Sequence, residues 1–405
     1  MKNPVFVQDL NQASDTARSS GGMPNSTARA VEEAVSRSRR DFLRTVAGVG
    51  AGASLLGFSP LRAMAIPKNR KAVVVTFGGG ARDDETFAPG GQHNIPYLLN
   101  KLIPQATFFT QVVNQGILGH YVATASLATG VYETFNNFAA VSPQHPTVFE
   151  YFRKGLNRPA TDAWVVAPSN GFNGIGASSS RAYGPDLGAG VILPKHLLAA
   201  AMPKGDHDFA NLLQDNFETP FQAPALSGSE FHLRQLNQIL KLSVEQFTAH
   251  ARSLASADEL SVYIAQQLMH ELAPSLLWIT LHDMDVAHSG AFSLYLEGIQ
   301  RSDRLCADIW SMIQREPEYA GRTYLFILPD FGRDADADAS GNGFQHHRTG
   351  DPLSRTTWLM ALGPGLRQGV TIDRRVESID LVPTLGGMLG FPTPGSQGRR
   401  LVEIL

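Results

Sequence analysis

The chain has 405 residues, 43% of them hydrophobic and 18% charged, the balance of a globular protein with enough apolar side chains for a large core. A formal net charge of -3 gives no general attraction to nucleic acid or anionic membrane, so nucleic acid is not an expected partner. The single cysteine, Cys306, forms no internal disulfide, which suits folding under reducing conditions.

From the amino terminus, residues 1–35 are rich in Ser, Ala and Asn, lack apolar periodicity and read as disordered. Ser38-Arg39-Arg40-Asp41-Phe42-Leu43-Arg44 then sets paired arginines before an apolar stretch, Thr45 to Phe58, and Ala63-Met64-Ala65 follows. A charged region, a short apolar region and a small-residue cleavage site, in that order, make a twin-arginine export signal with cleavage expected after Ala65. The apolar stretch falls short of the ~20 residues that span a bilayer, so no stable membrane anchor is expected. The signal implies the Tat translocase as a partner during export, and a periplasmic or extracellular destination. Met23 offers an alternative start that gives a leader of more usual length.

Residues 66–405 read as one domain, since neither an internal repeat nor a clear linker interrupts them. Lys71 to Phe77 (KAVVVTF) is a run of β-branched and aromatic residues that opens into Gly78-Gly79-Gly80, as a buried strand does on entering a loop. Similar runs recur at Ala106 to Val113, Ala163 to Ala167, Leu276 to Leu281, Tyr324 to Leu328 and Trp358 to Leu362. Helical patterns fall at Ile95 to Leu102, Thr147 to Gly155, a long segment from Gly228 to His250, Ala257 to Leu272 and Phe292 to Ile313. Near-continuous apolar strands alternating with helices predict an α/β fold, with a mostly parallel central sheet and helices on both faces. Pro168 to Pro194 is Gly- and Ser-rich and reads as a loop, bordering a cleft or simply lying on the surface.

In such a sheet ligands bind beyond the carboxyl ends of the strands. Four places there are polar. The first is Gly78 to Glu85, where glycines admit a close backbone approach and Arg82 suits an anion. Next comes His282-Asp283-Met284-Asp285-Val286-Ala287-His288, dense enough in carboxylate and imidazole to hold a divalent cation such as Zn or Mn. After the fifth run stand Pro329-Asp330-Phe331-Gly332-Arg333-Asp334 and then Gly343-Phe344-Gln345-His346-His347-Arg348. The intervening Ala335 to Gly343 lacks the glycine position and closing glutamate of a Ca-binding loop.

This order of features resembles the alkaline phosphatase superfamily, which includes sulfatases and phosphodiesterases, from about Lys71 to Phe391. The resemblance rests on the strand with its GGxR, on LATGVY at Leu127 to Tyr132, on Asp-x-x-His before Tyr295, Ile299 and Asp303, on PDFG, on a late histidine, and on Asp380-Leu381-Val382-Pro383-Thr384-Leu385. It implies an alkaline-phosphatase-like domain and an exported, metal-dependent hydrolase or transferase acting on a small phosphate or sulfate ester, sulfatase-like in character. The alternative is a non-catalytic binding or scaffold protein that retains the fold. The implied cofactor is a divalent metal, Zn first with Mn or Ca as alternatives, as one or two ions.

Carried over residue by residue, the resemblance makes Asp285 and His288 ligands of one metal, with Asp283 as the other candidate carboxylate and His346 or His347 completing the site. For a second metal Asp330 matches, whereas Phe331 stands where the family has His and Gly79 where it has Asp. His120 falls at the nucleophile position, with Thr124 and Ser126 as hydroxyls further along. Arg82, Arg333 and Arg348 are the candidates for holding the anionic group, because guanidinium forks match such oxygens.

Overall fold

β-Branched and aromatic side chains stiffen the backbone into extended runs, and in the computed structural model those runs form six of the eight strands found among the described residues. The described residues are 69–139, 141–202, 209–213, 226–336 and 341–405; the expected disordered leader and export signal, residues 1–65, lie outside them. The strands are β1 (Lys71–Phe77), β2 (Thr107–Val113), β3 (Ala163–Val166), β4 (Gly190–Ile192), β5 (Leu276–Leu281), β6 (Thr323–Pro329), β7 (Thr356–Leu362) and β8 (Val370–Glu377). They make one sheet in the order β4-β3-β5-β1-β6-β7-β2-β8. All neighbouring pairs are parallel except those of β7, which runs against both β6 and β2.

The central strand β1 is buried along its whole length, and its alternation divides the core. Val73, Val75 and Phe77 enter one apolar cluster, while Ala72 and Val74 enter the other, because successive side chains of a strand point to opposite faces. The first cluster is closed by α3 (Pro194–Ala201), α4 (Ala257–Glu271) and α5 (Phe292–Arg315); the second by α1 (His120–Thr129), α2 (Val148–Leu156) and α6 (Leu381–Leu389). The fold is thus the expected α/β arrangement, mostly parallel and covered on both faces. Among the described residues no helix is long and apolar enough to cross a membrane.

Two strands lie outside the sequence expectation. β4 has three residues inside the Gly- and Ser-rich stretch that reads as a loop, and pairs with β3 through Trp164 to Val166. β8 exposes Asp373, Arg374 and Arg375, so as an edge strand it lacks the apolar run that marks a central one. The long helix expected from Gly228 to His250 is broken. A helix at Leu226–Arg234 passes into a π-turn at Gln235–Ile239, Lys241 takes φ 55, and Ser243 starts a new helix by accepting a hydrogen bond from the Gln246 amide.

Candidate metal centre

The carboxyl ends of β1, β5 and β6 lie side by side in the sheet, and the loops that leave them meet. After β5 the chain enters a 3-10 helix at Asp283–Ser289. Such a helix has three residues per turn, so side chains three apart stand in one row. His282, Asp285 and His288 form that row: His282 Nε2 lies 3.5 Å from Asp285 Oδ2, and His288 Nε2 lies 3.1 Å from Asp285 Oδ1.

Opposite this row stands the first residue of α1, His120, which is fully buried. Its Nε2 is 2.9 Å from Asp285 Oδ1 and its Nδ1 is 2.7 Å from Asp330 Oδ2. His347, from the segment between β6 and β7, brings its Nε2 to 2.9 Å from His288 Nε2. One ligand atom from each of His120, Asp285, His288 and His347 lies within 4.8 Å of the others. Metal–nitrogen bonds of about 2.0 Å in a tetrahedral site place ligand atoms about 3.3 Å apart, which is the scale of this group.

The electrostatics of the group suit a cation. Burial opposes ionisation of Asp285, but the His120 ring and the neighbouring imidazoles outweigh it and hold the carboxyl well below the usual range. Asp285 Oδ2 is nonetheless sealed from solvent with no hydrogen-bond partner, the kind of orphaned acceptor that a bound ion satisfies. Burial, followed by the charges of His120 and Arg333, pushes His347 well below the ordinary imidazole value, and burial brings His282 down to about 3. Neutral imidazole is the ligating form, so three nitrogens and one carboxylate present a donor set that fits Zn or Mn.

The structure separates the sequence candidates. Between the adjacent histidines it selects His347; His346 is exposed, its amide donating to Gly343 O and its carbonyl accepting from Asp334 N. Asp285 is the carboxylate at the centre, while Asp283 turns away to pair with Arg301 at 2.8 Å. Asp330 does not join the four ligand atoms, because its side chain is spent on His120 and on backbone amides. His120, which falls at the nucleophile position of the resemblance, stands in the group of four that could hold a metal ion. Thr124 lies one turn along α1, fully buried, its hydroxyl without a hydrogen-bond partner. Ser126 donates to Val122 O, as a helix serine commonly does.

None of the three arginines stands open to an anion at the group. Arg82 is drawn off by Glu85 and Asp336, which hold its guanidinium charged despite burial. Arg348 pairs with Asp334 and is half exposed. Arg333 does reach the group: fully buried, it places Nη2 3.2 Å from Asp285 Oδ1 and donates to Gly80 O and Phe344 O at 2.8 and 3.1 Å. The Phe331 ring stacks on His120 with centroids 4.8 Å apart.

Two contributors were not singled out from the sequence. In the sequence His282 is only one member of a polar run, although its three-residue spacing from Asp285 carries the signal. Asp258, fully buried at the start of α4, accepts from the His282 and Asp283 amides at 2.7 and 2.9 Å and so fixes the start of the row; no local pattern marks it. Beside His282 a cavity of about 210 Å³ is lined by Lys195, Arg301, Asp283 and Glu297, among others.

No protein-family model matches the sequence, and no curated protein matches it. Solved structures do. A Vibrio parahaemolyticus protein described as a member of the alkaline phosphatase superfamily aligns at TM-score 0.52 and 13% identity, over 95% of this chain and 80% of that one. The lipoteichoic acid synthase LtaP from Listeria monocytogenes gives 0.52 at 12% identity, covering 91% and 81%. The phosphonate monoester hydrolase of Agrobacterium radiobacter gives 0.52 at 14% identity, covering 83% and 77%. Eight strands in this order, with imidazole and carboxylate groups gathered at their carboxyl edge, thus form a chain with the fold of the alkaline phosphatase superfamily.

Proposed function

We propose that the chain is an exported metal-dependent hydrolase or transferase of small phosphate or sulfate esters. The observation that carries this reading is the meeting of His120, Asp285, His288 and His347 at the strand ends. Structural likeness to a phosphonate monoester hydrolase accords with the ester class. A divalent ion held there would supply Lewis acidity toward the ester oxygens and a more acidic water.

The chain's own side chains hold and balance that charge. Asp285 would provide the anionic ligand and His120, His288 and His347 the nitrogen ligands, while Arg333 pairs with the same Asp285 oxygen that His288 faces. With both ring nitrogens of His120 facing carboxylates and Thr124 sealed in α1, neither side chain stands ready to attack. Water is the attacking group this geometry favours. The cavity beside His282, with Lys195 and Arg301 on its wall, is the place for the organic part of a small anionic ester.

A panel of aryl phosphate, phosphonate and sulfate esters, assayed with Zn, Mn and Ca after chelation, tests the reading. Turnover of one ester class that disappears on chelation and returns with one metal is the expected result. The occupied nitrogens of His120 favour a second reading, a binding protein that keeps the fold without the reaction; tight metal binding with no turnover of any ester selects it.

Export rests on Arg39-Arg40 and the apolar stretch behind them. A folded reporter carrying residues 1–66 should reach the periplasm, and the double substitution Arg39→Lys, Arg40→Lys should retain it in the cytoplasm. Equal export of both reporters would remove the twin-arginine assignment.

A further inference from the structure

The two carboxylates that flank His120 use their lone pairs differently. Both oxygens of Asp330 face nitrogen groups: Oδ2 faces His120 Nδ1 at 2.7 Å, and Oδ1 accepts from Phe331 N at 2.9 Å and Gly79 N at 3.4 Å. Asp285 has one oxygen crowded by His120, His288 and Arg333 and the other without a hydrogen-bond partner. A carboxylate with both oxygens engaged by donors has less left for a metal than one with a buried oxygen that takes no hydrogen bond.

The space around Asp330 is also closed to a cation. Arg333 Nη2 lies 3.3 Å from where a Cβ on Gly79 would stand, so a fixed positive charge fills the ground between Gly79 and Asp285. A second ion placed there meets like-charge repulsion that a buried setting strengthens. On the remaining side Phe331 presents an aromatic face, stacked on His120, where a further ligand would be needed.

Building on the metal reading above, we propose that the centre holds a single divalent ion, with His120 as a ligand through Nε2, and that Asp330 is a positioning residue gripping this ring from behind. A carboxylate that accepts the Nδ1 proton leaves the lone pair on Nε2 and fixes the plane of the ring, the arrangement by which outer partners orient metal-bound histidines. His120 enters from the first turn of α1 and Asp330 from the end of β6, so the pair ties the helix to the sheet at the metal.

The test is metal stoichiometry and the visible absorption of the Co(II)-substituted protein, neither of which depends on turnover. Wild type should bind one ion per chain. Asp330→Ala should still bind one, with affinity about 10- to 100-fold weaker and a shifted Co(II) band, while Asp330→Asn, whose amide oxygen still accepts the Nδ1 proton, should recover most of the affinity. Should Asp330→Ala fail to fold, Asp330→Asn alone decides, a smaller loss with a band shift being expected. Two ions per wild-type chain, falling to one in the Asp330 variants, would overturn the inference and leave the hydrolase reading standing. An unchanged affinity and spectrum in Asp330→Ala also overturns it, and no bound ion at all overturns both.

Discussion

Asp285 has His120 Nε2, His288 Nε2 and Arg333 Nη2 within 3.2 Å, so its charge is the pivot of the site. In Asp285→Asn the buried guanidinium of Arg333 loses its anion, and breaking a buried pair from one side costs about 3–5 kcal/mol. Urea unfolding of the metal-free variant should show a loss of that order, and metal retention should fall by more than the ~100-fold seen when only an outer partner is removed. The adjacent histidines provide a sharper contrast: His347→Ala should lower metal affinity strongly, while His346→Ala should leave it within about twofold, both read by competition with a chelating dye. At this scale the sequence was legible by residue type but not by choice. Asp283 and Asp285, like His346 and His347, differ only in which way a loop turns them, and that is set by Arg301 and by the Gly343 carbonyl, far off in the chain or purely backbone. His120 is marked in the sequence only by its place before Thr129-Gly130; its surroundings depend on two carboxylates more than 160 positions away.

Elements were easier to read than residues. β1 and β5 match their apolar runs at both ends because both faces are buried, whereas β8 hides among charges because one edge of it faces water. The polar row after β5 is a case where the period misleads: read as a helix of 3.6 residues per turn, His282, Asp285 and His288 drift around the axis, but the 3-10 geometry aligns them. Helix α1 holds His120 at one end and Gly130 at the other, where φ is +71 and an added Cβ would lie 2.2 Å from Ser396 Oγ and 2.9 Å from Val382 Cβ. Gly130→Ala combines left-handed strain of about 1–2 kcal/mol with overpacking of about 1–3 kcal/mol. We expect a destabilisation of at least ~2 kcal/mol in denaturant, together with weaker metal binding as the helix shifts His120. Metal binding kept at wild-type strength despite that loss would show that His120 is held by Asp330 and Asp285 rather than by the helix.

Across the whole molecule, several imidazoles are kept neutral by burial: His196 is brought down to about 4, His282 to about 3, and His347 well below its ordinary value. A depressed folded value means that the unfolded chain takes up protons first as pH falls from 6.5. Stability is therefore complete above about 6.5 and is lost toward about 3 to 4. Denaturant titrations of the chelated protein should show stability rising with pH across that window, and His196→Asn should flatten the part above about 4. A metal-loaded sample should be more stable throughout, by about 2.7 kcal/mol when free metal is 100 times its dissociation constant. The antiparallel strand β7 has a separate consequence. Because it runs back beside β6, the chain between Pro329 and Thr356 leaves and rejoins the sheet at one rim, and it delivers Asp330, Arg333 and His347 on the way. Doubling the length of such an excursion costs only about 0.6 kcal/mol in closure entropy. A change of length in this excursion therefore alters the rim at the strand ends without rethreading a single crossover.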